Sequence, residues 1–113
     1  MDFSTDGTRL WYETETKTIF LEGVMRLNAD GYKDMSKVLN DILATNPDTL
    51  TLDFTSLEFL NSSGINVIAR FVIAVRNGKT VSLTVRGSKN IPWQGKSLPN
   101  LKKLYSAVKL VID

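Results

Sequence analysis

Hydrophobic and polar residues alternate along two segments of the chain, Thr49–Phe54 and Thr80–Arg86. In each segment three apolar side chains fall on one side and the polar side chains on the other, which is the period of a β-strand. Parallel strands that are covered on both faces are apolar throughout their length. The alternation therefore predicts a sheet with helices packed mainly on one face and a partly polar second face.

Between these two strands, apolar residues recur every three or four positions over Gly64–Asn77 and predict a helix. We expect Gly78 to follow it in the left-handed conformation that glycine adopts readily. The apolar arc of this helix is wider than the roughly 100° stripe that packing on one sheet face requires. Two explanations stay open: the helix is buried between neighbouring helices, or Val67 and Phe71 form part of a surface that docks a partner.

Two further helices flank this central unit. The first is predicted over Ala29–Thr45, with Asn28 as the residue whose side chain caps its N-terminus. The other is predicted over Ser97–Ala107, with Ser97 as its cap and Pro99 in its first turn, where proline is tolerated.

The remaining strands are short and rich in aromatic and aliphatic residues. Residues 1–7 are predicted to be an N-terminal tail. Strands that are joined through helices run parallel, and a short link makes the first strand an antiparallel edge. The predicted fold class is α/β, with a single-layer mixed sheet, mostly parallel, in one domain covering residues 1–113. The additional strands are expected over Arg9–Glu13, Thr18–Val24 and Val108–Ile112.

The residue types that are missing from the chain exclude much chemistry. Without cysteine or histidine there is no disulfide, no Ser-His-Asp triad and no zinc site built from those residues. No glycine pattern for binding phosphates or dinucleotides occurs. We therefore expect no cofactor, no metal and no enzymatic activity. No apolar segment approaches the roughly 20 residues of a membrane helix, and the N-terminus has no signal-peptide core, so we expect a cytoplasmic protein without membrane insertion.

The formal net charge of +2 conceals an asymmetry along the chain. Residues 1–60 contain five Lys/Arg and eleven Asp/Glu, whereas residues 61–113 contain nine Lys/Arg and one Asp. Two interpretations stay open. If the halves of the sequence intermix in the fold, most of this charge cancels in space; if they do not, one end of the molecule is basic.

The loop that precedes the central helix resembles a family signature. An apolar strand with an acidic residue, an Asn-Ser-Ser-Gly loop and an apolar helix are similar to the signature of the STAS domain. That family comprises anti-sigma-factor antagonists and the cytoplasmic domains of sulphate transporters. The residues that carry the resemblance are Leu50–Phe54, Leu57, Phe59, Leu60, Asn61–Gly64 and Ile65.

The resemblance implies a protein-interaction module that acts by partner switching. In antagonist proteins of the family, the first serine of the pair is phosphorylated by an anti-sigma-type kinase that is itself the binding partner; here that position is Ser62. The expected partner-binding residues are those of the loop and of the following helix. A phosphate adds about −1.5 to −2 charges at the start of that helix and changes what can dock there. The partner-binding residues are Asn61, Ser62, Ser63, Gly64, Val67 and Phe71.

This chain departs from the family pattern at two positions. The family usually has Asp where this chain has Asn61, and an amide keeps the capping geometry but loses the charge. The family also has an acidic residue shortly after the glycine that ends the second strand, where this chain has Arg26 after Gly23. The hydroxyl of Ser62 therefore has two interpretations, as a helix cap alone or as a phosphorylation site.

An alternative function is the binding of nucleic acid or another anionic ligand. Trp93 lies in a segment expected to be irregular, Ser88–Lys96, with Lys89 and Lys96 on either side. A tryptophan between cations can stack on a base or anchor an acidic partner, or it can simply cover the core. The absence of a nucleic-acid-binding motif makes this alternative second. The residues that this alternative would use are Arg86, Lys89, Trp93, Lys96, Lys102 and Lys103.

A third interpretation is enzymatic, with Ser62 as a nucleophile. Such a serine needs a base beside it, and without histidine the base would be a lysine. No spacing in the sequence places a lysine there.

Overall fold

The sheet contains six strands whose order in space is the same as their order in the chain. A computed structural model of the protein describes residues 1–113. The first strand pairs antiparallel with the second and the second with the third, whereas the third to the sixth run parallel to one another. The predicted mixed sheet, mostly parallel with an antiparallel edge, is confirmed. The strands are β1 (Asp2–Thr5), β2 (Thr8–Glu13), β3 (Thr18–Met25), β4 (Thr49–Leu60), β5 (Ser82–Gly87) and β6 (Lys109–Ile112).

Three helices cover one face of this sheet: α1 (Ala29–Ala44), α2 (Ser62–Gly78) and α3 (Pro92–Leu104). The central helix α2 contacts both α1 and α3. The alternation in β4 decides which face is covered, because Leu50 and Leu52 are buried while Thr49 is exposed. None of the three helices combines the length and the hydropathy that crossing a lipid bilayer requires.

The N-terminal residues are not a tail as predicted. Residues 2–5 form the edge strand β1, in which Phe3 lies opposite Leu10 of β2 and packs against the core. Gly7, with φ of 77°, turns the chain between the two strands. Backbone pairing with β2 and the partial burial of one aromatic side chain both hold this segment on the sheet.

The ends of several elements also differ from the prediction. Gly78 is the last residue of α2, and the left-handed residue is Lys79, with φ of 58°. The Lys79 N–H donates to the carbonyl of Val75, which keeps Gly78 within the helix. The helix α1 ends at Ala44, and β5 and β6 begin at Ser82 and Lys109.

The strand β4 is twice as long as predicted, with 12 residues, and continues to Leu60. Its pairing with β5 ends at Asp53, opposite Arg86, whereas its pairing with β3 continues to Leu60. One side of β4 therefore has no strand partner after Asp53. Its carbonyl groups on that side need other donors, since unpaired buried carbonyls are costly.

Those donors come from the first turn of α3. Gln94 is fully buried, and its Nε2 donates to the carbonyls of Phe54 at 2.6 Å and Leu57 at 2.9 Å. Its Oε1 accepts from the N–H of Ser88 at 2.7 Å. These bonds explain why α3 begins at Pro92, not at Ser97 as predicted.

The earlier start of α3 changes the role of two predicted residues. Ser97 is not the cap; Ile91 occupies that position and has no side-chain capping bond. Pro99 lies inside the helix instead of in its first turn. The segment that was expected to be irregular is correspondingly shorter.

The acidic first half and the basic second half of the sequence occupy different sides of the folded molecule. Because strand order follows chain order, β1–β3 lie at one edge of the sheet and β5 and β6 at the other. The helices follow the same order, since α1 contacts β1 while α3 contacts β5 and β6. The interpretation in which the two halves intermix is wrong, and the edge formed by the second half of the chain is basic.

Gly23 is required where three segments of backbone meet. It has φ of 94°, and the ladder between β3 and β4 shifts register next to it. A Cβ at this position would overlap the carbonyl oxygen of Gly7, which accepts from the N–H of Val24 at 2.9 Å. The bulge or close backbone approach that the sequence indicated here is confirmed.

The Gly23→Ala variant tests this requirement. We expect it to lower the free energy of unfolding by about 2 kcal/mol or more, because alanine disfavours this φ and has no room for its methyl group. Gly95→Ala is the matched control: its Cβ would contact nothing, and alanine in an exposed helix is stabilising by up to about 1 kcal/mol. Urea unfolding monitored by circular dichroism compares the two variants, and equal effects of both would contradict the assignment.

The Gln94→Met variant tests the hydrogen bonds between α3 and β4. Methionine has a similar length but leaves the carbonyl of Phe54 and the N–H of Ser88 without partners. We expect a loss of about 3 kcal/mol, since each unsatisfied buried group costs about 1–3 kcal/mol. The exposed Asn100→Met on the same helix should change the unfolding midpoint little. A Gln94→Met protein as stable as the wild type would overturn this account of α3.

Candidate functional site

The helix α2, which follows the loop at the end of β4, is capped at its N-terminus by Asn61 and not by a serine. Asn61 is the N-cap residue of α2, and its Oδ1 accepts a hydrogen bond from the Gly64 N–H at 3.0 Å. The interpretation of Ser62 as the cap is therefore wrong. Asparagine and serine are equally good caps, and the chain enters the helix one residue earlier than the serine position would require.

The same Asn61 oxygen is tied to α1. The hydroxyl of Tyr32 donates to Asn61 Oδ1 and also lies 3.2 Å from the carbonyl of Met25, the last residue of β3. Tyr32 is 5% exposed. Its burial raises the pKa of the phenol above the ordinary value of 10.0. One hydroxyl therefore joins the start of α2, the body of α1 and the end of β3.

Gly64 is needed for packing inside the protein. It is buried, and a Cβ there would overlap Leu60 Cδ1 and lie 2.7 Å from the Tyr32 hydroxyl. Its bare side faces the neighbouring side chains of β4 and α1. Close approach by a partner or a phosphate, which the sequence suggested for this glycine, is not available on that side.

The two serines of the loop are exposed and lie in the first turn of α2. Their hydroxyl groups make no hydrogen bond within the protein. They differ in direction, because Ser63 lines the groove between α1 and α2 and Ser62 does not. Ser62 and Ser63 therefore both present free polar groups at the surface.

Val67 and Phe71 are not part of an exposed surface. Each is 3% exposed, and both belong to the hydrophobic core. The wide apolar arc of α2 is explained by its position between α1 and α3, which cover it on two sides. Both side chains line the groove between α1 and α2 from below, and so little of each is exposed that they can offer a partner only a small contact area.

A groove of about 630 Å³ runs between α1 and α2 and begins beside Ser63. Its floor is formed by buried side chains that include Leu39 and Phe71. Its walls are polar and contain two cations, Lys33 of α1 and Arg70 of α2. Sequence reasoning missed both cations, because only the packing of the two helices brings them to one groove.

Arg26, which stands where the family pattern has an acid, is exposed and lies near the same end of the sheet. Its guanidinium is 4.5 Å from the centre of the Phe59 ring. The side chain is thus held over an aromatic ring of β4 by a cation–π interaction.

The second predicted site, around Trp93, is not the exposed tryptophan between two cations that could stack on a base. Trp93 is in the first turn of α3, where its Nε1 donates to the carbonyl of Leu57 at 3.2 Å. Its ring packs edge-on against Phe54, with the ring centres 6.2 Å apart. Lys89 and Lys96 are both exposed. Trp93 therefore packs against the core, in agreement with the interpretation that this side chain covers the core.

Solved structures of regulatory proteins have the same fold as this chain. Apo-SiaC from Pseudomonas aeruginosa matches with a TM-score of 0.74 and 15% identity, covering 100% of this chain and 98% of that one. An anti-sigma factor antagonist from Mycobacterium paratuberculosis matches with a TM-score of 0.67 and 17% identity, covering 96% and 89%. A chain in the crystal structure of the diguanylate cyclase SiaD with its activator SiaC, also from Pseudomonas aeruginosa, matches with a TM-score of 0.71 and 13% identity, covering 99% and 97%.

These similarities extend over nearly the whole chain and confirm the STAS-like fold. No protein-family model matches the sequence, and no curated protein matches it. At this level of identity the likeness establishes the fold alone.

The Tyr32→Phe variant tests the junction at Asn61. We expect a loss of about 1 kcal/mol at neutral pH, the usual contribution of one buried hydrogen bond. Because the folded-state pKa of the phenol is raised, the unfolded chain loses this proton first as pH rises. The stability due to the phenol is thus fully present below about pH 10 and is lost as pH rises through the folded-state value.

Urea unfolding of the wild type and Tyr32→Phe between neutral and alkaline pH measures this difference. The gap in stability between them should be constant up to about pH 10 and should shrink above it. Tyr105→Phe, which removes a hydroxyl without a hydrogen bond in the structure, is the control. A gap that widens at alkaline pH would contradict the assignment.

Proposed function

We propose that this STAS-like chain is a non-enzymatic protein-interaction module that works by partner switching. It docks its partner through the Asn61–Gly64 loop and the exposed side of α2 next to it. The observation that carries the proposal is the pair of free serine hydroxyls in the first turn of α2, on a fold shared with partner-binding regulators. The kind of partner is a regulatory protein, with an anti-sigma-type kinase as one class.

The surroundings of the serines support binding and not catalysis. A serine nucleophile needs a base within hydrogen-bond reach, at about 2.6–3.2 Å. Neither Ser62 nor Ser63 has a side-chain hydrogen-bond partner of any kind, and the chain contains no histidine. The interpretation of Ser62 as a nucleophile activated by lysine therefore has no support from the site.

Phosphorylation of Ser62 is the switch in this proposal. Its hydroxyl is exposed at the first helical position of α2, where a kinase can reach it. A phosphate would place about −1.5 to −2 charges beside the positive end of the helix dipole. The fold tolerates that charge locally, while a partner seated on the unmodified loop would meet a bulky anion. Modification would thus release the partner and leave the module folded.

The Asn61–Tyr32 junction supports the same proposal. It fixes the loop from two directions, so the serines are presented on a rigid turn. A rigid binding loop loses little conformational entropy when a partner docks. Phosphorylation then acts on a preformed surface and does not have to unfold one.

The charge-mimicking variant Ser62→Asp tests the switch. Immobilised wild-type protein and Ser62→Asp are exposed to lysate from the source cells, and the retained proteins are compared by quantitative mass spectrometry. We expect at least one protein to be retained by the wild type and lost with Ser62→Asp, because the added charge lies inside the docking site.

Thr14→Asp supplies the matched control, since Thr14 is exposed in the turn between β2 and β3, away from the loop. It introduces the same charge and should retain the same proteins as the wild type. If the wild type and Ser62→Asp retain identical sets of proteins, the proposed docking site is wrong. A phosphoryl group mapped to Ser62 by intact-mass and peptide analysis of the native protein would support the switch directly.

A further inference from the structure

The groove between α1 and α2 has two polar walls of similar composition. Residues spaced three and four apart on each helix face the groove, so each wall is a ridge of side chains that points the same way. On α1 the wall contains Lys33, Ser36 and Asn40; on α2 it contains Ser63, Asn66 and Arg70. Neither wall contains an Asp or Glu. The only formal charges facing the groove are therefore two positive ones.

This absence of carboxylates is a property of the groove and not of α1 as a whole. Asp41 of the same helix is paired with Lys37 on the exposed side, with 3.5 Å between Nζ and Oδ2. Asp34 faces a different depression, which it shares with Arg26. Asp34 and Asp41 thus face away from the groove, and Asp30, the third acidic residue of α1, does not line it. The groove therefore remains electropositive.

Lys33 and Arg70 also lack the partners that other cations of this protein have. Lys17 and Arg86 pair with carboxylates, and Arg76 donates to the carbonyl of Leu104. Lys33 and Arg70 are exposed, and they make no ion pair and no hydrogen bond within the protein. Two unpaired cations on opposite walls of one groove can receive anionic groups from outside.

We propose that this groove receives an acidic segment of the partner protein, with Lys33 and Arg70 binding its carboxylates. The proposal rests on the proposed function, because it places the partner on the surface that adjoins Ser63. The amides of Asn40 and Asn66 can supply further hydrogen bonds along the groove. Charge complementarity of this kind gives a complex specificity and a fast association rate.

The floor of the groove indicates an extended acidic segment. Leu39, Val67 and Phe71 line it but are at most 3% exposed, so these three side chains offer a docking amphipathic helix little apolar area to bury. Nucleic acid fits less well for a related reason. Single-stranded nucleic acid uses exposed aromatic rings for stacking, and the aromatic rings at this groove, Tyr32 and Phe71, are buried.

Binding of fluorescein-labelled decaglutamate, followed by fluorescence anisotropy at low ionic strength, tests the proposal. We expect the double variant Lys33→Gln/Arg70→Gln to weaken binding by about tenfold or more, since two close charge pairs are lost. The double variant Lys96→Gln/Lys103→Gln removes the same charge from exposed positions on α3 and should change binding less than about twofold, because long-range terms are screened. Equal weakening by both double variants would overturn the proposal in favour of unspecific attraction.

Two further measurements locate the ligand and define its class. In amide NMR spectra, decaglutamate should shift Ser36, Asn40 and Asn66 more than residues of α3. Labelled oligothymidylate is the comparison probe. If it binds more tightly than decaglutamate does, and if Lys33→Gln/Arg70→Gln abolishes that binding, the ligand of the groove is nucleic acid and not an acidic segment. Absence of decaglutamate binding to the wild type would also overturn the proposal.

The outcome separates this proposal from the proposed function. If Ser62→Asp changes the retained partners while Lys33→Gln/Arg70→Gln does not affect decaglutamate binding, the groove assignment fails and partner switching stands. If decaglutamate binds through Lys33 and Arg70 while Ser62→Asp retains the same proteins as the wild type, the groove stands and the switch fails.

Discussion

The oxygen atom of one side-chain amide fixes the relation between the sheet and its helices. Asn61 Oδ1 accepts from the backbone at the start of α2 and from the hydroxyl of Tyr32 in α1. That hydroxyl also lies next to the last carbonyl of β3. The direction in which α2 leaves β4, the spacing of the two helices and the presentation of both serines all depend on this junction. Gly64 completes it by leaving room for the Tyr32 hydroxyl.

A second set of hydrogen bonds pairs the carbonyl groups of β4 that have no neighbouring strand. The strand continues past the end of its partner β5, and the carbonyls that lack a strand partner there would be buried without donors. Gln94 and Trp93 supply side-chain donors in place of the missing strand. The functional loop at the end of β4 is thus supported on both sides, by α1 through Tyr32 and by α3 through Gln94.

Much of the architecture could be predicted from local patterns. The alternation in β4 and β5 fixed the covered face of the sheet, and Asn28 was identified as a cap because its side chain precedes a clear helical period. The position of the Asn61–Gly64 loop followed from the same reasoning. These features depend on neighbours in sequence, which is why the sequence contains them.

The missed features depend on contacts between distant segments. Asn61 and Ser62 have similar capping propensities, so the sequence did not determine which of them is the cap. The apolar surface of Val67 and Phe71 could be covered by a helix or by a partner, and periodicity does not distinguish these cases. Gln94 looked like a loop residue because a buried polar side chain is recognisable only through the groups that satisfy it. The grouping of Lys33 with Arg70 requires the packing of α1 on α2.

The agreement between strand order and chain order has a consequence for how the molecule assembles. No strand is inserted between two that precede it, so the sheet can grow by adding each new strand to the one before. Contacts between segments close in sequence carry a small loop-closure cost and favour fast folding. A chain synthesised from its N-terminus can therefore form β1 to β3 as a hairpin meander first. Each later helix and strand can then add to an existing edge, and β6 is the last strand that the chain supplies.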